Sequence, residues 1–337
     1  MRAKDSIEEK IFVYSEIFQA ERGLYNQLLR DMSVHQEPKD MSRTDHNSCP
    51  CCKSLQISYS FSLPYFKVHK FKWGTSEENY RRIVKKEHQG AVFDVVSCRE
   101  CRAFFVKETY KDLVSYVESH PIYRSETIRH WFDQSHFLVT EDVCRRIAVN
   151  ETLSPVEARY RQHLNRVTPL LKQESRFMDV GANVGTFAAL LAAQRPHTVV
   201  HACETNPAFL VEGQTRYPHL IWVDEPLTNR AKLEPFDVLY VSHVIEHIWD
   251  LDGFVEALLA HLRPDGYLMV ATPDGDHPSA KRDGTDWWAY IVPHHCQVLT
   301  LLSLDRLMVR HGLQRIDHAT EGEEFWALYQ PTPNTAS

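Results

Sequence analysis

The sequence predicts an α/β protein: a mainly parallel sheet in the C-terminal half, preceded by a small cysteine-bearing module and a helical linker. Three observations predict it. From Arg176 onward, short apolar runs alternate with helical stretches, the pattern of βαβ units in a doubly wound sheet. The first run leads straight into a glycine-bearing stretch, Asp179-Val-Gly181-Ala-Asn183-Val-Gly185. Two cysteine pairs, Cys49-Pro-Cys51-Cys52 and Cys98-Arg-Glu-Cys101, stand in the N-terminal half.

The elements follow in chain order. Between residues 5 and 30, Ile7, Ile11, Tyr14, Phe18, Tyr25, Leu28 and Leu29 recur at spacings near three and four, which predicts an amphipathic docking helix. Residues 31–48 are polar and contain Pro38, so they read as a linker. Strand-like runs Ile57–Phe61 and Ala91–Val96 flank a charged, helix-compatible stretch, Ser76–Gln89. Residues 111–174 read as largely helical, with breaks at Pro121 and Pro155. The strands expected beyond them are Phe177–Val180, Val199–Cys203, Leu220–Val223, Val238–Val241 and Tyr267–Ala271. The helices expected are Val184–Gln194, Gly253–Leu262 and Ser303–Arg310, the first stopped by Pro196 and the last closed by Gly312. The organisation is thus an N-terminal extension (1–45), a cysteine module (46–110), a helical linker (111–174) and an α/β domain (175–337).

Composition narrows the function classes. Of 337 residues, 43% are hydrophobic and 25% charged, enough apolar material for a full core in a soluble protein. The formal net charge of −7 argues against a surface that tracks nucleic-acid phosphates. No apolar run approaches the ~20 residues of a membrane span. The stretch MRAKDSIEEKIF carries acids and lacks an apolar segment, so it does not read as a signal peptide, and a cytoplasmic location is expected. Eight cysteines then call for a role other than disulfides. Two C-x-x-C pairs supply four thiolates for tetrahedral zinc, Cys49, Cys52, Cys98 and Cys101, with Cys51 a rival to Cys49 or Cys52. Four protein ligands leave no open position, which makes the expected site structural. Cys144, Cys203 and Cys296 lack ligand spacing and read as packing residues.

The glycine stretch fits a strand-to-helix turn that a ligand approaches closely, since ligands of open α/β sheets bind at the carboxyl ends of the strands. The next strand ends in Glu204, followed by Asn206 and Pro207. An acid there can accept hydrogen bonds from ribose hydroxyls, while Asn206 caps a helix that begins at Pro207. His243-Val-Ile-Glu246-His247 spells the H-x-x-E-H string of some zinc peptidases, but that chemistry needs the histidines on one helix face. Here the string closes an apolar strand.

Three passages together resemble the class I S-adenosylmethionine (SAM)-dependent methyltransferases, particularly the branch acting on natural products and sugars: Asp179–Gly185, Phe236–His247 and Leu262-Arg-Pro-Asp-Gly-Tyr-Leu268. The resemblance covers roughly the last 160 residues. It departs at Asn183, where many members have glycine. It implies a Rossmann-like, seven-stranded sheet whose last strand, Glu324–Tyr329, runs antiparallel. It also implies SAM as cofactor and a small-molecule acceptor. Asp179, Gly181, Asn183, Gly185 and their neighbours would hold the methionine part, Glu204 the ribose and Asp224 the adenine. Ser242 and His243 would lie near the sulfonium. Tyr290, His294 and His295 resemble a passage of sugar C-methyltransferases that carries a tyrosine and a catalytic histidine. His295 fits that histidine best, and His294 stands where a glutamate is usual. Three further readings remain: SAM chemistry other than methyl transfer, an RNA methyltransferase, and a silent zinc module that binds a protein.

Overall fold

The computed structural model describes residues 43–65, 90–110, 138–149, 153–228 and 232–332, together with positions 78, 81 and 84. The expected N-terminal helix, most of the 76–89 stretch and much of the 111–174 linker lie outside the described residues.

The strands are β1 (Arg43–Asp45), β2 (Ile57–Pro64), β3 (Val92–Cys98), β4 (Phe104–Val106), β5 (Glu108–Tyr110), β6 (Arg176–Val180), β7 (Val199–Cys203), β8 (Ile221–Val223), β9 (Phe236–Ser242), β10 (Leu262–Pro273), β11 (Gln297–Val298), β12 (Leu313–Glu321) and β13 (Glu324–Pro331). The α-helices are α1 (Glu141–Val149), α2 (Pro155–Val167), α3 (Thr186–Gln194), α4 (Pro207–Arg216), α5 (Leu251–Ala260), α6 (Pro278–Asp283) and α7 (Leu301–Arg310).

The larger sheet has seven strands in the order β12-β13-β10-β9-β6-β7-β8. β6, β7, β8, β9 and β10 run parallel, and β13 pairs antiparallel with both β10 and β12. β6 and β7 are buried almost throughout because helices cover both faces. α3 shows the same logic from the helix side: every residue from Thr186 to Leu191 is buried, so it is apolar all round rather than on one stripe. Burying leucines such as Leu190 and Leu191 contributes roughly 1.5–3 kcal/mol each. α2 begins at a capping box in which Ser154 and Glu157 satisfy each other's backbone N–H groups. The break expected at Pro155 is therefore a helix start.

The cysteine module holds a four-stranded antiparallel sheet in the order β11-β4-β3-β2. β11 comes from the long segment after β10, so the C-terminal half supplies a strand to the N-terminal module. The two halves are joined further by side chains. The Thr300 hydroxyl donates to the Cys101 carbonyl at 2.9 Å. Arg310 Nε donates to the Cys51 carbonyl at 2.9 Å. Asp252 pairs with Lys53 from the module and with Arg310 and His311 at the end of α7. The four paired cysteines share one hydrophobic cluster with Leu304 and Leu307 of α7.

Candidate active site

The first part of the site lies at the carboxyl ends of β6, β7 and β8. The loop after β6 takes left-handed backbone at Gly181 (φ 74°), Asn183 (φ 52°) and Gly185 (φ 80°), the last serving as N-cap of α3. Asn183 is tolerated because its side-chain oxygen accepts from the Val184 N–H at 2.8 Å. The N–H groups of Gly181 and Ala182 both donate to the Cys203 carbonyl at 2.9 Å, which ties the loop to the end of β7. Glu204 completes the tie. One carboxylate oxygen accepts from Asn183 N–H at 2.8 Å and the other from Asn206 N–H at 2.7 Å. A carboxylate has about four lone-pair positions, so this one is both fixed and able to accept more. Asp224 is exposed just past β8. Asp179 is buried, and burial together with the neighbouring Glu204 charge pushes its pKa up to about 8.

Two close approaches explain the glycines. A Cβ on Gly181 would come within 2.3 Å of Val244 Cγ2, and one on Gly185 within 2.8 Å of the Trp222 ring. Val244, just past β9, thereby links the loop to the second part of the site.

That second part is a charge cluster at the ends of β9 and β10. His243 has left-handed backbone (φ 54°), and a short 3₁₀ turn, Ile245–His247, follows it. The H-x-x-E-H string is therefore not on an α-helix. His243 Nδ1 faces Glu246 Oε1 at 3.2 Å, and its Nε2 faces Glu324 Oε2 at 2.5 Å. Burial alone would lower the His243 pKa. The hydrogen bonds to the two glutamates outweigh it and push the pKa up to about 9, so His243 is an imidazolium at neutral pH. Arg159 of α2 lies 3.6 Å from the same Glu324 oxygen. Two cations and two anions thus neutralise one another, which a partly desolvated cluster requires. Below it, His163 pairs with the Tyr240 hydroxyl at 2.6 Å.

The segment after β10 brings further groups. His295 is buried, with Nδ1 2.7 Å from the Ala289 carbonyl. A carbonyl only accepts, so Nδ1 carries the proton and Nε2 keeps a lone pair. Burial, reinforced by the nearby His247, lowers its pKa to about 3 and keeps the ring neutral. His247 is exposed and has the same tautomer, its Nδ1 lying 2.9 Å from the His294 carbonyl. The two rings meet edge to face with centroids 4.6 Å apart. The His294 ring turns away to the Tyr65 hydroxyl, 3.0 Å from its Nε2. Tyr290 is buried among Phe61, Phe104 and Trp287. Ser242, half-buried, ends β9. An open cavity of about 520 Å³ borders the charge cluster, lined in part by Arg159, Gln162, Trp288, Glu321, Glu323 and Glu324. The structure therefore groups His243 and His295 around Glu246, and carries His294 and Tyr290 into contacts with the cysteine module.

In that module, Cys49, Cys52, Cys98 and Cys101 place their sulfurs within 4.8 Å of one another, without Cys51. The shortest separations are Cys49–Cys101 at 3.4 Å and Cys52–Cys98 at 3.5 Å. Zn–S bonds of ~2.3 Å in a tetrahedron put sulfurs ~3.8 Å apart, so the set fits a zinc ion. Both knuckles have the same backbone. Lys53 N–H returns to the Cys49 carbonyl and Arg102 N–H to the Cys98 carbonyl, each at 2.9 Å. Lys53 (φ 61°) and Arg102 (φ 64°) are both left-handed.

The family described as "Methyltransferase domain" matches residues 153–318. Residues 153–318 are therefore similar to methyltransferase domains. The matched segment contains the glycine loop, Glu204, His295 and, of the charge cluster, Arg159, His243 and Glu246, and it ends before Glu324. Among curated relatives, the chain is 27% identical over 122 residues to trans-aconitate 2-methyltransferase of Azoarcus sp. (strain BH72), covering 35% of this chain and 48% of that protein. It is 29% identical over 143 residues to the ubiquinone biosynthesis O-methyltransferase of Rickettsia conorii, covering 41% of this chain and 46% of that protein. The match thus spans about half the length of these relatives or less. Among solved structures, N-methyltransferase NodS from Bradyrhizobium japonicum WM9 aligns with 52% of this chain and 95% of its own at 16% identity and a TM-score of 0.39, a likeness too slight to carry weight. The matched region does not include the cysteine pairs.

Sequence reasoning missed Arg159 and Thr272, and gave Glu246 and Glu324 no role in the site. Arg159 sits in a polar helix and Glu324 opens a strand, and nothing local marks either of them. The H-x-x-E-H string was the one visible signal for Glu246.

Proposed function

We propose that the chain is a SAM-dependent methyltransferase acting on a small molecule. One observation carries the reading: within the segment similar to methyltransferase domains, Glu204 is fixed at the tip of β7 beside a loop with three left-handed residues at the tip of β6. In this reading, the backbone of residues 181–185 holds the amino-acid end of the cofactor and Glu204 the ribose hydroxyls. Asp224 faces the adenine and Ser242 lies beside the sulfonium. SAM, when bound, supplies a methyl group activated for displacement. A cationic ligand would also favour the ionised form of Asp179, whose carboxyl is otherwise held protonated by its surroundings.

The protein's own part is to align the acceptor with the methyl group and exclude water. His243, already an imidazolium between two glutamates, cannot take up the acceptor's proton and instead fixes Glu246 and Glu324. His295, held neutral with its Nδ1–H on the Ala289 carbonyl, offers a lone pair at Nε2 to which an acceptor hydroxyl or amine can donate. The cavity beside Arg159, Trp288 and Glu324 receives the acceptor. A structural zinc in the four thiolates holds the module that supplies Tyr65 and Phe61 to this region.

Incubation with SAM and a panel of small hydroxyl, amine and carbon acids, followed by mass spectrometry, tests the reaction. S-adenosylhomocysteine with a methylated product supports it. Methylthioadenosine would move the assignment to the other SAM chemistry.

A further inference from the structure

A second group of side chains has metal-ligating form. Glu246, His247 and His295 bring one carboxylate oxygen and two ring nitrogens within 4.8 Å of one another. Both imidazoles use Nδ1–H to donate to backbone carbonyls, those of His294 (2.9 Å) and Ala289 (2.7 Å). Both Nε2 lone pairs are thus left for a ligand. Glu246 is fully buried, and its Oε2 accepts from the Thr272 hydroxyl at 3.0 Å. Histidines held by their distal N–H and a carboxylate held by a hydroxyl are the outer-shell pattern that orients metal ligands. Both rings lie beside the one carboxylate and share the tautomer that leaves Nε2 without its proton.

We propose that Glu246, His247 and His295 bind a divalent first-row metal ion. Two histidines and one carboxylate leave coordination positions open, unlike the four thiolates of the cysteine module. His247 is exposed while Glu246 and His295 are buried, so an ion would enter from the His247 side. Val244, packed on the cofactor loop at Gly181, lies two residues from Glu246, so the metal adjoins the proposed cofactor site. The role of the ion rests on the methyltransferase reading. It takes an acceptor with two adjacent oxygens, a catechol or an α-hydroxy acid. Bound to the ion, the acceptor hydroxyl releases its proton to water. The resulting oxyanion forms the new O–CH₃ bond as the S–CH₃ bond breaks, and the electron pair leaves with sulfur.

Manganese(II) tests this, because it prefers oxygen and nitrogen donors and leaves the thiolate site alone. Zinc-loaded protein without SAM is titrated with Mn(II), and free ion is followed by electron paramagnetic resonance. The wild type is expected to bind it at a saturable site. His247→Ala, at an exposed position, is expected to abolish binding, while His318→Ala, also exposed, leaves it intact. Thr272→Val is expected to weaken binding about 10–100-fold. Catechol added to the loaded protein should displace metal-bound water and reduce its proton relaxation enhancement. No saturable uptake by the wild type, or equal uptake by His247→Ala, overturns the site. Unchanged relaxation overturns the chelated acceptor. Calorimetry with SAM on the same samples separates the two readings: Mn(II) uptake without SAM binding keeps the metal site and removes the methyltransferase, and the converse does the reverse.

Discussion

Gly181→Ala is predicted to destabilise the protein through two separable terms. Gly181 has φ 74°, where a residue with a Cβ costs about 1–2 kcal/mol. The added Cβ would also lie 2.3 Å from Val244 Cγ2, against ~3.5 Å for an unstrained carbon contact. Val244 must move by about an ångström, and such overpacking costs typically ~1–3 kcal/mol. The single variant should therefore lose about 2–5 kcal/mol. Val244→Ala removes the clash and leaves the backbone term. In urea denaturation of the four proteins of the cycle, the double variant should be more stable than the sum of the single losses by about 1–3 kcal/mol. SAM affinity should follow the backbone term and stay reduced in the double variant. Strict additivity, or a loss under about 1 kcal/mol for Gly181→Ala, would refute the argued packing of Val244 on the loop.

Other predictions follow from the same geometry. Cys49→Ser should release the metal and lower thermal stability, whereas Cys51→Ser should retain it, as read by metal analysis. Glu324→Gln should cost about 1.5–3 kcal/mol by urea denaturation, because it removes the anion between His243 and Arg159. Asp179 gives a pH signature. Its carboxyl titrates near 8 when folded against 3.8 ordinarily. Between those values the unfolded chain gives up a proton that the folded chain keeps. Stability from this group is thus full below the unfolded value and falls by about 1.4 kcal/mol per pH unit until the folded value is reached. Asp179→Asn should then be more stable than the wild type at pH ~8 in the absence of ligand, with the gap closing toward pH ~4, the interval set by that titration.

The parts legible in the sequence were those written locally. β6, β7 and β9 read directly from apolar runs, because a parallel strand covered on both faces is hydrophobic throughout. The glycine loop, Glu204 and the cysteine pairs were visible because spacing along the chain fixes them. β12 escaped because it is an edge strand, exposed over most of its length, and its residues carry no apolar pattern. β11 has two residues, and its pairing with β4 joins segments far apart in the chain. The charge cluster assembles Arg159 from α2, His243 and Glu246 from the end of β9, and Glu324 from β13. Only the fold adds Arg159 and Glu324 to His243 and Glu246, so spacing along the chain could mark the last two but not the whole cluster.

The most direct test of the central claim is calorimetric titration of the purified protein with SAM and S-adenosylhomocysteine, beside Glu204→Ala. The account predicts micromolar binding of both to the wild type. Loss of the charged acceptor should weaken it by about 3 kcal/mol, roughly two orders of magnitude. Failure of a well-folded wild type to bind either ligand, or equal binding by Glu204→Ala, would contradict the account.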